Sequence, residues 1–312
     1  MNPAIELARL HKTYGRHTAV DSLTLSIEPG SVFGLIGPNG AGKTTTLRMI
    51  LDIIRPTSGT VRVLGEDPRT AGSTLRRRIG FIPGELRLDG RMTGRRMLDF
   101  YSEVSGPVRT GAVDELASRL GLDLTRQVRT LSKGNKQKLG IVQAFMHEPE
   151  LLVLDEPTSG LDPLVQREFL QLVREARGRG QTVLLSSHVL SEIQQTADAV
   201  AVLSAGRIVA EGDVASLRLG AIRRVRAGFA VSDPETVRTE MARLPNVADV
   251  EVSTAGESVR LSATVEGDID PFIKAIARHR VVDLSVEEPD LEESVLRLYG
   301  DTDTSAKGAG HE

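Results

Sequence analysis

Two short stretches of this chain set side chains in an order that suggests chemistry. The first is Gly37-Pro38-Asn39-Gly40-Ala41-Gly42-Lys43-Thr44, which fits the spacing G-x-x-x-x-G-K-[ST]. Phosphate binding needs each part of it. Glycines let backbone N–H groups turn inward as a concave anion nest. A helix that starts at the nest aims its positive dipole end at the phosphates. Lys43 reaches the β and γ phosphates as a point charge, and the Thr44 hydroxyl is a ligand for Mg²⁺. The second stretch is Leu151-Leu152-Val153-Leu154-Asp155-Glu156. Its apolar residues bury a strand, and two carboxylates emerge at the C-terminal edge, where open α/β sheets place their ligands. Asp155 would hold Mg²⁺ through water, and Glu156 would polarise an attacking water.

These side chains have to be carried by a parallel sheet and its covering helices. Residues 31–36 read as a buried strand running into the glycine loop, followed by a helix over 43–54. The runs 151–154 and 182–185 are short and apolar, bounded by polar residues, and suit central strands. Residues 164–177 and 190–196 fit covering helices. Alternating apolar residues make strands of 4–10 and 18–27, and a further strand is read at 60–64. From Leu75 to about Glu150 the pattern reads as mostly helical. Residues 199–203 and 207–210 close this part as a hairpin turning at Ala205-Gly206. Beyond Leu219 the order becomes β-α-β-β-α-β, that of a ferredoxin-like unit. Its strands are read at 222–230, 247–252, 258–265 and 281–286, and its helices at 233–244 and 271–280. A last helix is read over 290–298. Residues 301–312 lack large apolar side chains and read as a disordered tail.

Composition narrows the function classes. The chain has 312 residues and no Cys, so disulfides, thiolate metal sites and a Cys nucleophile are excluded. Its formal net charge of −3 disfavours a nucleic-acid binder. The first ten residues contain Glu6 and Arg9 and do not read as a signal peptide. No window approaches the roughly 20 apolar residues of a spanning helix. His11 and His17 lack metal-ligand spacing, and Arg76-Arg77-Arg78 reads as a solvated helix face.

Together the two stretches resemble the nucleotide-binding domain of ABC transporters, over about residues 5–217. In that family the glycine loop is the Walker A motif and the carboxylate strand is Walker B. Three further matches carry the resemblance. Leu131-Ser132-Lys133-Gly134-Asn135 resembles the signature usually written LSGGQ. Ser159-Gly160-Leu161-Asp162 resembles the D-loop. His188, in Ser186-Ser187-His188, resembles the switch histidine. The resemblance implies an ABC-type P-loop ATPase with a RecA-like core, an antiparallel β subdomain and an α-helical subdomain, plus the small ferredoxin-like domain. The implied domains are 1–218, 219–300 and the tail 301–312.

The resemblance also implies roles. ATP and Mg²⁺ are the cofactors. The residues from Gly37 to Thr45, including Pro38, Asn39, Gly40, Ala41, Gly42, Lys43, Thr44 and Thr45, form the nucleotide site, and Tyr14 stacks on adenine. Thr44 and Asp155 hold the metal, while Glu156 and His188 act in hydrolysis. Ser132, Gly134 and Asp162 serve the ATP site of a second subunit, either an identical copy or a close paralogue. Two departures stand out. Lys133 and Asn135 replace the usual Gly and Gln of the signature. Gly84 stands where the family places the Q-loop glutamine, and Glu85 could serve only if the loop shifts by one residue.

The partners implied are an integral-membrane permease and the second ATPase subunit, with no nucleic acid, and the place is the cytoplasmic face of the membrane. The stretch Glu287-Glu288-Pro289-Asp290-Leu291-Glu292-Glu293 and the helix after it resemble the tail of bacterial drug and antibiotic exporters. An ABC ATPase acting on DNA or the ribosome is the alternative. Against it stand the lack of a heptad run between Lys43 and Ser132 and the single copy of each motif.

Overall fold

A computed structural model describes residues 2–86, 88, 90–187, 190–214, 222–230, 233–255 and 258–287; side-chain placement at 190, 191, 222 and 255 is outside this description. The chain forms two compact units, Met1–Gly212 and Asp213–Glu312. The expected boundary at 218/219, the helix at 290–298 and the tail at 301–312 fall outside the described residues.

The first unit is built on a six-stranded sheet in the order β5-β6-β7-β3-β8-β9. Its strands are β3 (Val32–Ile36), β5 (Ile79–Ile82), β6 (Leu151–Asp155), β7 (Thr182–Ser187), β8 (Ala199–Ser204) and β9 (Arg207–Asp213). β3, β6 and β7 are buried along their whole length. Such continuous apolar runs belong to parallel strands covered on both faces. β6 pairs with β7, and β7 with β3, all in parallel. The register sets Asp155 beside Ser186 and Ile36 beside Ser187, so the three strand ends that carry chemistry line up on one edge.

A three-stranded antiparallel sheet, β2-β1-β4, packs beside it. β1 is Ile5–Tyr14, β2 is His17–Ile27 and β4 is Ser58–Val63. Ile5, Leu7, Leu23, Leu25 and Ile27 share one core with Phe33, Leu35, Leu47, Ile50, Val153 and Leu184. The core therefore joins this sheet to α1 (Lys43–Ile50) and to one face of the six-stranded sheet. Each such aliphatic side chain contributes about 1.5–3 kcal/mol when fully buried.

The helical part contains α2 (Pro68–Arg76), α3 (Gly94–Val104), α4 (Ala112–Arg119) and α5 (Lys133–Phe145), with α6 (Pro163–Gly178) and α7 (Leu190–Thr196) following. Arg119 at the end of α4 ties it to α6, donating to Glu168 at 2.5 Å and to Glu175 at 2.7 Å. The Arg119 hydrogen bond holds the Glu175 carboxyl below its ordinary range. No helix among the described residues is long and apolar enough to cross a membrane.

Three expectations are corrected. The stretch 75–150 is not helical throughout, because Ile79–Ile82 is a strand paired in parallel with β6. A four-residue apolar run carries no periodicity that could distinguish strand from buried helix. α1 stops at Ile50 rather than 54: Asp52 adopts φ 52°, a left-handed conformation that ends the helix. Arg78 is not on a solvated helix face. Its guanidinium forks onto Glu150 at 2.6 and 2.8 Å and reaches Glu66 at 2.7 Å, bridging the start of β6 to the segment after β4. Hydrogen bonding to Arg78 holds the Glu150 carboxyl below its usual range.

The second unit follows the expected order. Its strands are β10 (Ile222–Ala230), β11 (Val247–Ala255), β12 (Ser258–Glu266) and β13 (Val281–Glu287), with helices Pro234–Ala242 and Asp270–Ile276 between them. The sheet runs β11-β12-β10-β13 and every pairing is antiparallel. This is the ferredoxin-like arrangement. Its own core contains Phe229, Val237, Met241, Leu261, Val265 and Phe272.

Candidate nucleotide site

The glycine loop links the end of β3 to α1, and its shape is fixed by close approach. A Cβ on Gly37 would stand 2.5 Å from the Leu203 carbonyl oxygen, and one on Gly42 would stand 2.5 Å from that of Ala19. Gly42 also caps α1 at φ 106°, where L side chains rarely go. The loop is braced from outside: the Gly206 N–H, in the β8–β9 turn, donates to the Ala41 carbonyl at 3.1 Å.

Lys43 is buried and is the first residue of α1. Its ammonium donates to the Gly37 carbonyl at 2.5 Å and to that of Pro38 at 3.4 Å. It also lies 3.4 Å from Glu156 Oε1. Two residues far apart in the sequence, one from each stretch, thus meet over the nest. A cavity of about 280 Å³ opens there, lined by residues 38–45, Ala19, Glu156, Tyr14 and His17. Tyr14 stands at its mouth, 48% exposed, with the Lys12 ammonium 5.0 Å from its ring centroid.

The carboxylates are held from β7. Asp155 is buried, and its Oδ1 accepts the Ser186 hydroxyl at 2.6 Å. The Glu156 N–H donates to both the carbonyl and the hydroxyl oxygen of Ser186 at 3.2 Å. Glu156 itself adopts φ 49°. The other oxygen of Asp155 faces the loop after β5: a Cβ on Gly84 would lie 3.0 Å from Oδ2. A side chain at 84 would thus require the Asp155 carboxylate to give by a few tenths of an ångström. Glu85, next along, is exposed.

The donors available near the nest are a threonine hydroxyl and a carboxylate, the hard oxygen ligands that suit Mg²⁺. Among the described residues no group of three or more His, Asp or Glu could hold a metal alone. A metal at Thr44 and Asp155 would therefore complete its shell with phosphate and water, as Mg²⁺ commonly does.

The signature residues lie elsewhere. Ser132 caps α5, accepting the Asn135 N–H at 3.2 Å. Lys133 donates to the Ser159 hydroxyl at 3.3 Å, and a Cβ on Gly134 would stand 2.7 Å from the Gly160 carbonyl. Asp162 caps α6, accepting the N–H groups of Leu164 and Val165 at 3.1 Å. The signature is thus laid along the D-loop of the same chain. Ser132, Gly134 and Asp162 do not line the cavity that holds Lys43. His188 lies outside the described residues.

Sequence reasoning passed over His17 in the cavity wall and the clamping role of Ser186. It also passed over Gln137, whose side-chain amide donates to the Pro157 carbonyl at 2.8 Å. The motif order near Ser186 was the available signal for that residue; His17 has none beyond its nearness to Tyr14.

A profile described as ABC transporter matches residues 20–159. Bacitracin transport ATP-binding protein BcrA of Bacillus licheniformis is 34% identical over 96% of this chain and 98% of that protein. The chain belongs to the ABC transporter ATP-binding family. Nod factor export ATP-binding protein I of Paraburkholderia xenovorans is 37% identical over 95% of this chain and 97% of its own. Daunorubicin/doxorubicin resistance ATP-binding protein DrrA of Streptomyces peucetius is 34% identical, with 94% and 98% covered. Among solved structures, an ATP-binding subunit of an ABC transporter superimposes with TM-score 0.64 at 30% identity, over 69% of this chain and 92% of its own. An ATP-binding cassette solved as a dimer with ADP and Pi shares the fold, with TM-score 0.62 at 23% identity, over 67% of this chain and 98% of its own. As an ABC transporter ATP-binding subunit, the chain binds and hydrolyses ATP.

Proposed function

We propose that this ABC subunit energises a separate membrane permease that exports a drug or antibiotic-like compound. The observation that supports export is the extent of the likeness: proteins named for bacitracin transport, Nod factor export and daunorubicin resistance match across both units of this chain. In the proposed cycle Lys43 binds the β and γ phosphates, exchanging its carbonyl contacts for phosphate oxygens. Glu156 accepts the proton of the attacking water, and the backbone N–H groups of the nest hold the charge that develops on phosphate. Mg²⁺, when bound at Thr44 and Asp155, offsets phosphate charge. Ser132 lies outside the Lys43 cavity of its own chain, which supports a head-to-tail dimer with two ATP molecules between subunits. Loss of the γ-phosphate then releases the closed state.

The permease would dock on residues 85–106, at the cytoplasmic face of the membrane. α3 supports this reading by exposing Phe100 and Val104, two apolar side chains one turn apart. The test is co-expression with a candidate permease, chosen as a polytopic membrane protein encoded beside this chain if one is found there. Energised drug efflux that needs both proteins and is lost in Glu156→Gln is expected. Failure of a membrane partner to co-purify, or association unchanged in Phe100→Glu, would sink the coupling assignment.

A further inference from the structure

We propose that Glu192 is a positioning residue for Glu156, holding the turn that aims the catalytic carboxylate. Glu156 sits at φ 49°, a left-handed conformation that non-glycine residues keep only when their surroundings over-determine it. Upstream, the restraint is Ser186, which accepts the Glu156 N–H. Downstream, the chain turns at once: the Ser159 N–H donates to the Glu156 carbonyl at 3.2 Å. That turn is pinned at two points. Gln137 holds the Pro157 carbonyl, and Thr158 donates its hydroxyl to Glu192 Oε2 at 2.9 Å.

The same Glu192 oxygen accepts the Ser187 hydroxyl at 3.0 Å. Thr158, Ser187 and Glu192 are all buried, with Glu192 5% exposed. One carboxylate on α7 therefore fastens the turn after Glu156 to the end of β7, the strand whose Ser186 fastens Glu156 from the other side. Two hydroxyls thus converge on one buried acceptor oxygen, and hydrogen bonds are stronger away from water. Glu192 is absent from the wall of the nucleotide cavity. Through Thr158 its effect passes to the aim of Glu156, so removing that contact should change turnover and leave nucleotide affinity alone.

The inference rests on reading Glu156 as the group that activates water. The test measures kcat, KM and nucleotide Kd on the full chain for Glu192→Ala, Glu192→Gln, Thr158→Val and their combinations. We expect Glu192→Ala and Thr158→Val each to lower kcat about tenfold or more with Kd within about twofold, as misaimed catalytic groups do. The double variant should be no worse than the poorer single one. Glu192→Gln keeps an acceptor oxygen at the same place and should retain most turnover. Unchanged kcat in Thr158→Val, equal losses in kcat and affinity, additive effects, or a glutamine variant as inactive as the alanine one would overturn the proposal. Thr158→Val deletes one hydroxyl and decides the matter even if Glu192→Ala fails to fold. Glu156→Gln is run alongside. If it still turns over, the reading of Glu156 falls; if it is inactive while Thr158→Val is normal, only the Glu192 proposal falls.

Discussion

At Gly42 the backbone turns at φ 106°, with the Ala19 carbonyl 2.5 Å from where a Cβ would stand. Gly42→Ala must strain the loop or displace β2, so we expect it to cost about 1–3 kcal/mol of stability and to abolish nucleotide binding, read by denaturant unfolding and nucleotide titration. His147 provides a pH-dependent counterpart. It is buried, and neither ring nitrogen makes a hydrogen bond of good geometry among the described residues. Burial pushes its pKa below the ordinary 6.5, and nearby backbone at Ile79 and Gln143 offsets only part of that. Above 6.5 both folded and unfolded chains hold it neutral, and the full stability is present. As pH falls below that value the unfolded chain takes up the proton first, so stability drops until the folded value is passed. Unfolding midpoints compared across that range should show this loss in the native chain and a smaller one in His147→Leu. Equal slopes would show that His147 contributes nothing.

Between elements, the informative contacts are clamps. Arg78 joins the start of β6 to the segment after β4 through a two-pronged bond to Glu150 and a single one to Glu66. Because Arg78 is 33% exposed, Arg78→Ala should cost only about 1–2 kcal/mol after solvent screening, read as a lower denaturant midpoint with unchanged nucleotide affinity. Ser132 has one observed role, as the cap of α5, and one that the proposed head-to-tail dimer adds. As the α5 cap it is worth about 1 kcal/mol. As a γ-phosphate ligand for a second subunit its loss should cut turnover far more than that stability loss explains. Ser132→Asn keeps a capping oxygen and should match the native melting temperature, Ser132→Ala should melt about 2–4 °C lower, and both should lose ATPase activity. Elements were legible where a strand or helix carried its own pattern, as for β3, β6 and β7. β5 was missed because only its pairing with β6 makes Ile79–Ile82 a strand.

At the scale of the whole molecule, each unit has its own hydrophobic cluster, one drawn from residues up to Ile208 and the other from Val225 onward. A chain ended after Gly212 should accordingly fold and keep its nucleotide affinity, checked by circular dichroism and titration; loss of binding would show that the second unit supports the site. The sequence by itself determined the chemistry available: a glycine loop with Lys43 and Thr44, a strand ending in Asp155 and Glu156, and the order of signature, D-loop and second unit. The glycine loop, the carboxylate strand and the second unit follow from local rules of spacing, burial and turn formation, whereas the signature and the D-loop were read from their resemblance to the ABC family. The tertiary structure alone decided which groups meet. Strand order sets Asp155 beside Ser186, packing brings Lys43 within 3.4 Å of Glu156, and Gly84 lies against Asp155. The roles of Arg78 and Glu192 also emerged only there, because a charged side chain reads alike in the sequence whether it faces water or bridges elements distant along the chain.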